Sequence, residues 1–289
     1  MKRLGLIVNT LRPNAEEVLR RVERWADARG WPITACERVQ AARTPDFQSI
    51  PEGRFTGKID LLLSLGGDGT ILTAARAVCE AGTPVLGINL GTLGFLTVAS
   101  PEEAEQALDR VAAGQYIIEE RFMLEVREPE GGKHHWAALN DIVIDKGGIA
   151  RIIHLHVHLN GDFLSEIAGD GLIVATPTGS TAYALSVGGP ILLPTMQGFL
   201  MAPISPHTLA QRPMVFGADD RLSVTVRAVA GEAMLTVDGQ WTRKLATGAT
   251  VEIARAPFPA RLINFPGRSF LRVLREKLHW GLGPGESRP

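Results

Sequence analysis

Ile59-Asp60-Leu61-Leu62-Leu63-Ser64-Leu65-Gly66-Gly67-Asp68-Gly69-Thr70 passes from an apolar run directly into three glycines set around one aspartate. The run is short and nearly unbroken, as expected for a strand buried on both faces. Ile71 to Ala81 continues with helical spacing and stops at Gly82. The same alternation recurs on either side. Leu4 to Val8 is a second buried strand, and Ala15 to Arg29 a helix with Val18, Val22, Trp25 and Ala26 on one face. Gly30 and Pro32 mark its end. Ile33 to Cys36 and Pro84 to Ile88 add two more strands. A strand–helix–strand series of this kind predicts a parallel sheet with helices on both faces.

Beyond residue 100 the pattern changes. Glu102 to Ala113 is one more helix, closed by Gly114. Short alternating segments then dominate. Ile152 to Leu159 alternates strictly and meets Asn160-Gly161, a tight hairpin signal. Leu222 to Val226, Ala233 to Val237 and Val251 to Ala254 are further strands, and Asp238-Gly239 is a second hairpin turn. This half predicts an antiparallel sandwich. Ser269 to Trp280 is helical again, with Phe270, Val273, Leu274 and Leu278 on one face. A late helix after strands predicts a return to the first unit. The expected division is 1–100 for an α/β domain, 101–265 for the β-sandwich, and 266–289 for the helix and tail packed on the first domain.

Composition narrows the function classes. The chain has 289 residues, 45% hydrophobic and 21% charged, with a formal net charge of −1. That balance gives no electrostatic footprint for nucleic acid. No run approaches the ~18 uninterrupted apolar residues of a membrane span. Two cysteines, Cys36 and Cys79, form no metal-binding or disulfide spacing. Buried reduced thiols predict a reducing compartment, so the expected location is the cytoplasm.

The glycine loop is the leading chemical candidate. Glycines let backbone N–H groups approach a ligand closely, and the free amides and dipole of the following helix favour an anion. In open α/β sheets ligands sit beyond the carboxyl ends of the strands, where Gly66, Gly67, Gly69 and Thr70 fall. An aspartate inside a phosphate site adds repulsion, so Asp68 is expected to hold Mg²⁺ or to accept a proton from an attacking hydroxyl. The bland alternative makes it a helix N-cap. Gly87 to Phe95 is a second glycine-rich stretch, read either as the opposite lip of the cleft or as a tightly packed crossing. Thr176-Pro177-Thr178-Gly179-Ser180-Thr181-Ala182-Tyr183 concentrates five hydroxyls after a strand, more than one helix cap needs, which suits a nucleoside site. Asn140-Asp141 interrupts an apolar run and marks either a bulge or a site. His154, His156 and His158 share one strand face; no cysteine or obvious carboxylate completes a metal site, so the row reads as a solvated or subunit-contact face.

Together these motifs resemble the NAD kinase family. Similar glycine loops occur in diacylglycerol, sphingosine and phosphofructokinases. The ordered set narrows the field: Gly66 to Thr70, Asn140-Asp141, Asp170-Gly171, Thr176 to Tyr183, then Ala202-Pro203-Ile204-Ser205-Pro206-His207 with Arg212-Pro213. The resemblance implies a Rossmann-like N-terminal domain, a C-terminal β-sandwich and a site between them. It implies transfer of the γ-phosphoryl group of ATP, with Mg²⁺, to the 2′-hydroxyl of the adenosine ribose of NAD.

Carried over residue by residue, Asp68 is the general base, and Asp68 and Gly69 touch the dinucleotide. Asn140 and Asp141 bind adenine and ribose hydroxyls, and Asp170 the second nucleoside. Thr178, Thr181, Ala182, Tyr183 and Ser186 frame the adenine pocket, and Arg151, Ser205 and Gln240 line the site. Ala168 stands where many relatives carry arginine, which bears on NAD against NADH. Asn-Asp replaces the usual Asn-Glu, and Ser205 a common alanine. The family also implies a homodimer or homotetramer, and some bacterial relatives accept inorganic polyphosphate besides ATP. The alternatives are a lipid kinase with the same loop and a dinucleotide sensor without catalysis.

Overall fold

The computed structural model describes residues 2–35, 59–92, 94–128, 135–147, 152–228 and 233–280. The first part of the chain forms β1 (Leu4–Val8), α1 (Ala15–Asp27), β2 (Ile33–Ala35), β3 (Leu61–Gly66), α2 (Asp68–Val78), β4 (Val85–Asn89) and α3 (Ala104–Ala112). Next come β5 (Ile117–Arg121), β6 (Leu124–Arg127), β7 (His135–Ala138), β8 (Asp141–Asp145), β9 (Ile153–Leu159), β10 (Asp162–Gly169) and β11 (Gly171–Ala175). A 3-10 turn at Gly179–Thr181 and the short helix α4 (Tyr183–Ser186) lead to β12 (Gly198–Ile204), β13 (Met214–Gly217) and β14 (Leu222–Ala228). β15 (Ala233–Val237), β16 (Trp241–Leu245), β17 (Thr250–Arg255), β18 (Ala260–Asn264) and α5 (Phe270–Leu278) complete it.

One sheet has the order β2-β1-β3-β4-β18-β5 and is parallel except for β5. β3 is buried along its whole length, which accounts for its continuous apolar sequence. Leu61, Leu63 and Leu65 face α1 and α3, while Leu62 faces Ile71, Ala75 and Val78 of α2. Each such side chain contributes roughly 1.5–3 kcal/mol by burial. Two strands from the segment expected in the second unit, β5 and β18, pair into this sheet, so the chain returns before its last helix. Phe270 of α5 packs on Phe95, with ring centroids 6.3 Å apart. Residues 281–289, expected as the tail, and Cys36 lie outside the described residues.

Two antiparallel sheets, β10-β9-β14-β17-β6-β7 and β13-β12-β11-β8-β15-β16, form the sandwich. Leu155, Val157, Val224 and Ile253 from one meet Ile142, Leu172, Phe199 and Leu235 from the other. The outer face of the second sheet is also covered: Val143, Ile173, Leu200 and Ala202 pack under Ala184 and Leu192. Burial on both faces explains why β8, β11 and β12 read as apolar runs. Both hairpins form as their turns predict, with Asn160 and Gly161 at φ 52° and 94°, and Asp238 and Gly239 at 52° and 64°.

Several helix ends differ from the sequence reading. α2 begins at Asp68, three residues before the expected start, because the chain turns helical inside the glycine loop itself. It ends at Val78, not Ala81, and α1 at Asp27, not Arg29. α3 begins at Ala104, not Glu102, while α5 starts where Ser269 Oγ accepts a hydrogen bond from the Arg272 amide at 3.2 Å.

Candidate active site

Gly67 caps α2, and Thr70 Oγ1 accepts from its amide at 3.4 Å. Asp68 is the first helical residue and does not cap the helix. Its carboxylate turns toward the second glycine-rich stretch, where Oδ2 accepts from the Phe95 amide at 2.8 Å and Oδ1 from the Leu96 amide at 3.0 Å. The neighbouring glycine makes room for this: a Cβ on Gly94 would stand 2.0 Å from Asp68 Oδ1. Gly94, Phe95 and Leu96 therefore act as the wall that orients Asp68. Arg268, just before α5, faces the same carboxylate. Burial pulls its guanidinium below the ordinary arginine value, with the Asp68 charge opposing, and its Nη2 has no hydrogen-bond partner. Nothing in the sequence pattern marked Arg268, because it reaches the loop only through the return of the chain.

A second group, expected from the sequence to hold a nucleoside, is assembled from three separate segments. Asn140 and Asp141 follow the end of β7 and open β8. Thr176 fixes this join: its amide donates to Asn140 O at 2.9 Å and its Oγ1 to Leu139 O at 2.5 Å. Gly179 lies flat against it, since a Cβ there would meet Asn140 O at 2.0 Å. The hydroxyl-rich run is thus partly spent on its own loop. Ser180 Oγ donates to Pro177 O at 2.7 Å and accepts from the Leu192 amide at 2.9 Å, and Thr181 Oγ1 donates to Thr178 O at 3.2 Å. Thr178 differs: its Oγ1 is buried with no protein partner. Thr181 and Ala182 are half-buried, whereas Tyr183 and Ser186 are exposed on α4.

The third segment is the hairpin turn Asp238–Gln240. Gln240 Nε2 donates to Gly69 O at 2.6 Å, and its Oε1 accepts from Thr73 Oγ1 at 2.8 Å. The phosphate loop is therefore joined to the sandwich directly. Burial, and then the charge of Asp238, pushes the Asp141 carboxyl up to about 7.

Asp170, Ser205 and Ala168 form a separate group. Lys146 Nζ donates to Asp170 Oδ1 at 2.6 Å and holds that carboxyl below the usual range, with Ser205 and His207 adding to the effect. The His207 amide donates to Ala168 O at 2.9 Å. Asp170 and Thr176 bracket β11, so about 20 Å of strand separates this group from the Asn140 turn. Arg151 lies outside the described residues. On the sandwich surface, Glu166 of β10 supplies the carboxylate missing from the histidine row. Its Oε1 is 2.8 Å from His154 Nδ1 and its Oε2 3.6 Å from His156 Nε2. A cross-strand neighbour is invisible to local sequence spacing. Among the described residues no three His, Cys, Asp or Glu side chains cluster as a metal site.

Comparison with known proteins is decisive here. Residues 4–116 match the ATP-NAD kinase N-terminal domain, and residues 139–265 the ATP-NAD kinase C-terminal domain. The chain belongs to the NAD kinase family. The NAD kinase of Symbiobacterium thermophilum is 44% identical over 284 residues, covering 96% of this chain and 99% of that one. That of Moorella thermoacetica is 43% identical over 283 residues, covering 97% and 90%. Yeast NADH kinase, crystallised with NADH, superposes on this chain with a TM-score of 0.86 at 25% identity, covering 100% and 90% of the two chains. The Archaeoglobus fulgidus NAD kinase in complex with ATP gives 0.74 at 26% identity, covering 96% and 98%. The lipid-kinase and sensor alternatives gain no support from these relatives.

Proposed function

We propose that this member of the family transfers the γ-phosphoryl group of ATP to the 2′-hydroxyl of the adenosine ribose of NAD, with Asp68 at the reacting hydroxyl. The observation that carries this reading is the setting of Asp68. Asp68 opens α2, at the end whose free amides and dipole favour phosphate, and its carboxylate is fixed by the Phe95 and Leu96 amides. Gly69 in the same loop is tied through Gln240 to the hairpin beside Asn140 and Asp141. The 2′-oxygen attacks the γ-phosphorus, the bond to the β,γ-bridging oxygen breaks, and ADP leaves. The hydroxyl proton passes to Asp68, late in the step, since a carboxylate is a weak base toward an alcohol. Positioning and charge neutralisation do most of the work in such reactions.

Asn140, Asp141 and the unpartnered Thr178 hydroxyl hold the adenosine, with Thr181, Ala182, Tyr183 and Ser186 framing it. Asp170, Ser205 and Ala168 receive the second nucleoside. Mg²⁺ enters with ATP as MgATP, and charge neutralisation is its contribution. The buried Cys79 thiol, raised by burial, supports a reducing, cytoplasmic setting for NADP biosynthesis. No helix of the described residues is long and apolar enough to cross a membrane. Exposed Phe163, Leu209, Met214 and Val215 support a homodimer or homotetramer.

A coupled assay crossing NAD and NADH with ATP and inorganic polyphosphate, with and without a chelator, tests the reading. NADP formation from NAD and MgATP, abolished by chelation, is expected. No phosphorylated dinucleotide with any donor would sink it.

A further inference from the structure

α2 presents Gly69, Thr73 and Arg76 along one face, at helical spacing i, i+4, i+7. All three are engaged by one hairpin turn. Gln240 takes the Gly69 carbonyl and the Thr73 hydroxyl. Arg76 Nη1 donates to Asp238 Oδ2 at 2.5 Å, and its Nη2 to Gln240 Oε1. The Asp238 side chain is completely buried, and Arg76 is only 19% exposed. Beyond Arg76, the same Asp238 carboxylate gathers three successive amides: Leu139 at 3.1 Å on Oδ2, and Asn140 at 2.7 Å and Asp141 at 3.2 Å on Oδ1. Its own amide donates to Asp141 O at 2.8 Å. One buried carboxylate thus joins the helix that starts at Asp68 to the turn that carries Asn140 and Asp141.

We propose that Arg76 and Asp238 are positioning residues that lock the phosphate-loop helix to the nucleoside turn, so that the ribose hydroxyl meets Asp68 in register. Neither is placed to touch a reacting atom. Asp238 sets the backbone of the 139–141 turn, and Arg76 neutralises Asp238 while fixing its distance from α2. The hairpin conformation is part of the device. A left-handed φ of 52° at Asp238 turns its carboxylate back on the preceding segment, a conformation that aspartate tolerates better than most residues. Displacement of a bound group by about 1 Å costs on the order of 100-fold in rate, and such a displacement is what loosening the lock would allow.

Asp141 reports on the lock. The charged groups facing it are Asp238 from the hairpin and, behind that carboxylate, Arg76 from α2. Its cross-strand neighbours Ala175 on β11 and Val237 and Ile142 nearby carry no charge, nor does Thr176. Removing the positive partner must therefore make Asp141 harder to ionise, and removing Asp238 must make it easier.

The inference rests on the kinase reading, and the test separates the two. Arg76→Met, Arg76→Lys and Asp238→Asn are compared with the full-length wild type by steady-state kinetics and by calorimetric titration of NAD from pH 5 to 9. Arg76→Met is expected to lower kcat/KM on the order of 100-fold, and Arg76→Lys to recover part of that. The midpoint in the pH dependence of NAD affinity should move up in Arg76→Met and down in Asp238→Asn. If Asp238→Asn does not fold, the Arg76 pair still decides. A lowered melting temperature with unchanged kcat, KM and midpoint would reduce the pair to scaffolding and overturn the proposal. Absent turnover in the wild type would remove the kinase reading alone, leaving the binding midpoints to judge the lock.

Discussion

The glycine loop and the Asn140 turn lie side by side, yet they are built in opposite ways. Gly66 to Thr70 is continuous in sequence, bounded by a buried strand and a helix, and its main side-chain anchor, Thr70 to Gly67, lies three residues away. The Asn140 turn draws on residues 139–141, 176–179 and 238–240, held by bonds that span 36 to 99 positions. The loop is shaped by local backbone chemistry. The turn exists only once the sandwich has formed. Asp68 shows where the two meet, since its position depends on amides 27 and 28 residues further along the chain.

If the loop supplies the chemistry, the largest effect belongs to Asp68→Asn. NADP formation should fall by about 10²–10⁴-fold, with circular dichroism and melting temperature close to wild type. Wild-type turnover in that variant would remove Asp68 from the reacting centre. Gly94→Ala breaks the contact between loop and wall while leaving Asp68 chemically intact. Its Cβ would intrude on Asp68 Oδ1, so activity should drop by roughly 10–100-fold, with about 1–3 kcal/mol lost to overpacking in urea unfolding. Unchanged kinetics would show that the Phe95 and Leu96 amides do not fix the carboxylate.

Asp141 sharpens the comparison through pH. Its carboxyl is raised to about 7 in the fold and titrates near ~3.9 unfolded. The native state binds the extra proton between those values. Stability should therefore fall as pH rises through that window, by up to ~1.4 kcal/mol per unit, and level off above it. Asp141→Asn should abolish this contribution and melt higher than wild type at pH 8, while binding NAD more weakly. A parallel pH dependence in the two proteins would mean that Asp141 ionises normally. The smallest effect is expected for Thr178→Val. Its hydroxyl has no protein partner, so melting and kcat should hold while KM for NAD rises about 2–10-fold, the worth of one hydrogen bond. A loss of stability instead would give Thr178 a structural role.

The site was unevenly legible in the sequence. Gly66 to Thr70 announced itself because its function needs a compact local arrangement of glycines, one acid and a helix start. Thr176 to Tyr183 was visible as a hydroxyl cluster, but composition could not separate hydroxyls that brace the loop, such as Ser180, from the free Thr178. Asp238 read only as a hairpin residue. Its second task, collecting three amides and Arg76, depends on pairing β15 beside β8. Arg268 and Glu166 were silent for the same reason.

By itself, then, the sequence determined the strand–helix alternation, the sandwich signals, both tight turns and the chemistry of the glycine loop. These rest on periodicity, backbone permissiveness and burial, which act over a few residues. The tertiary structure alone decided that β5 and β18 return to the first sheet, that Gly94 makes room for Asp68, and that Asp238 binds Arg76 on one side and the Asn140 turn on the other. Those outcomes follow from which buried polar groups find partners once the sheets have packed, and no local pattern records the pairing.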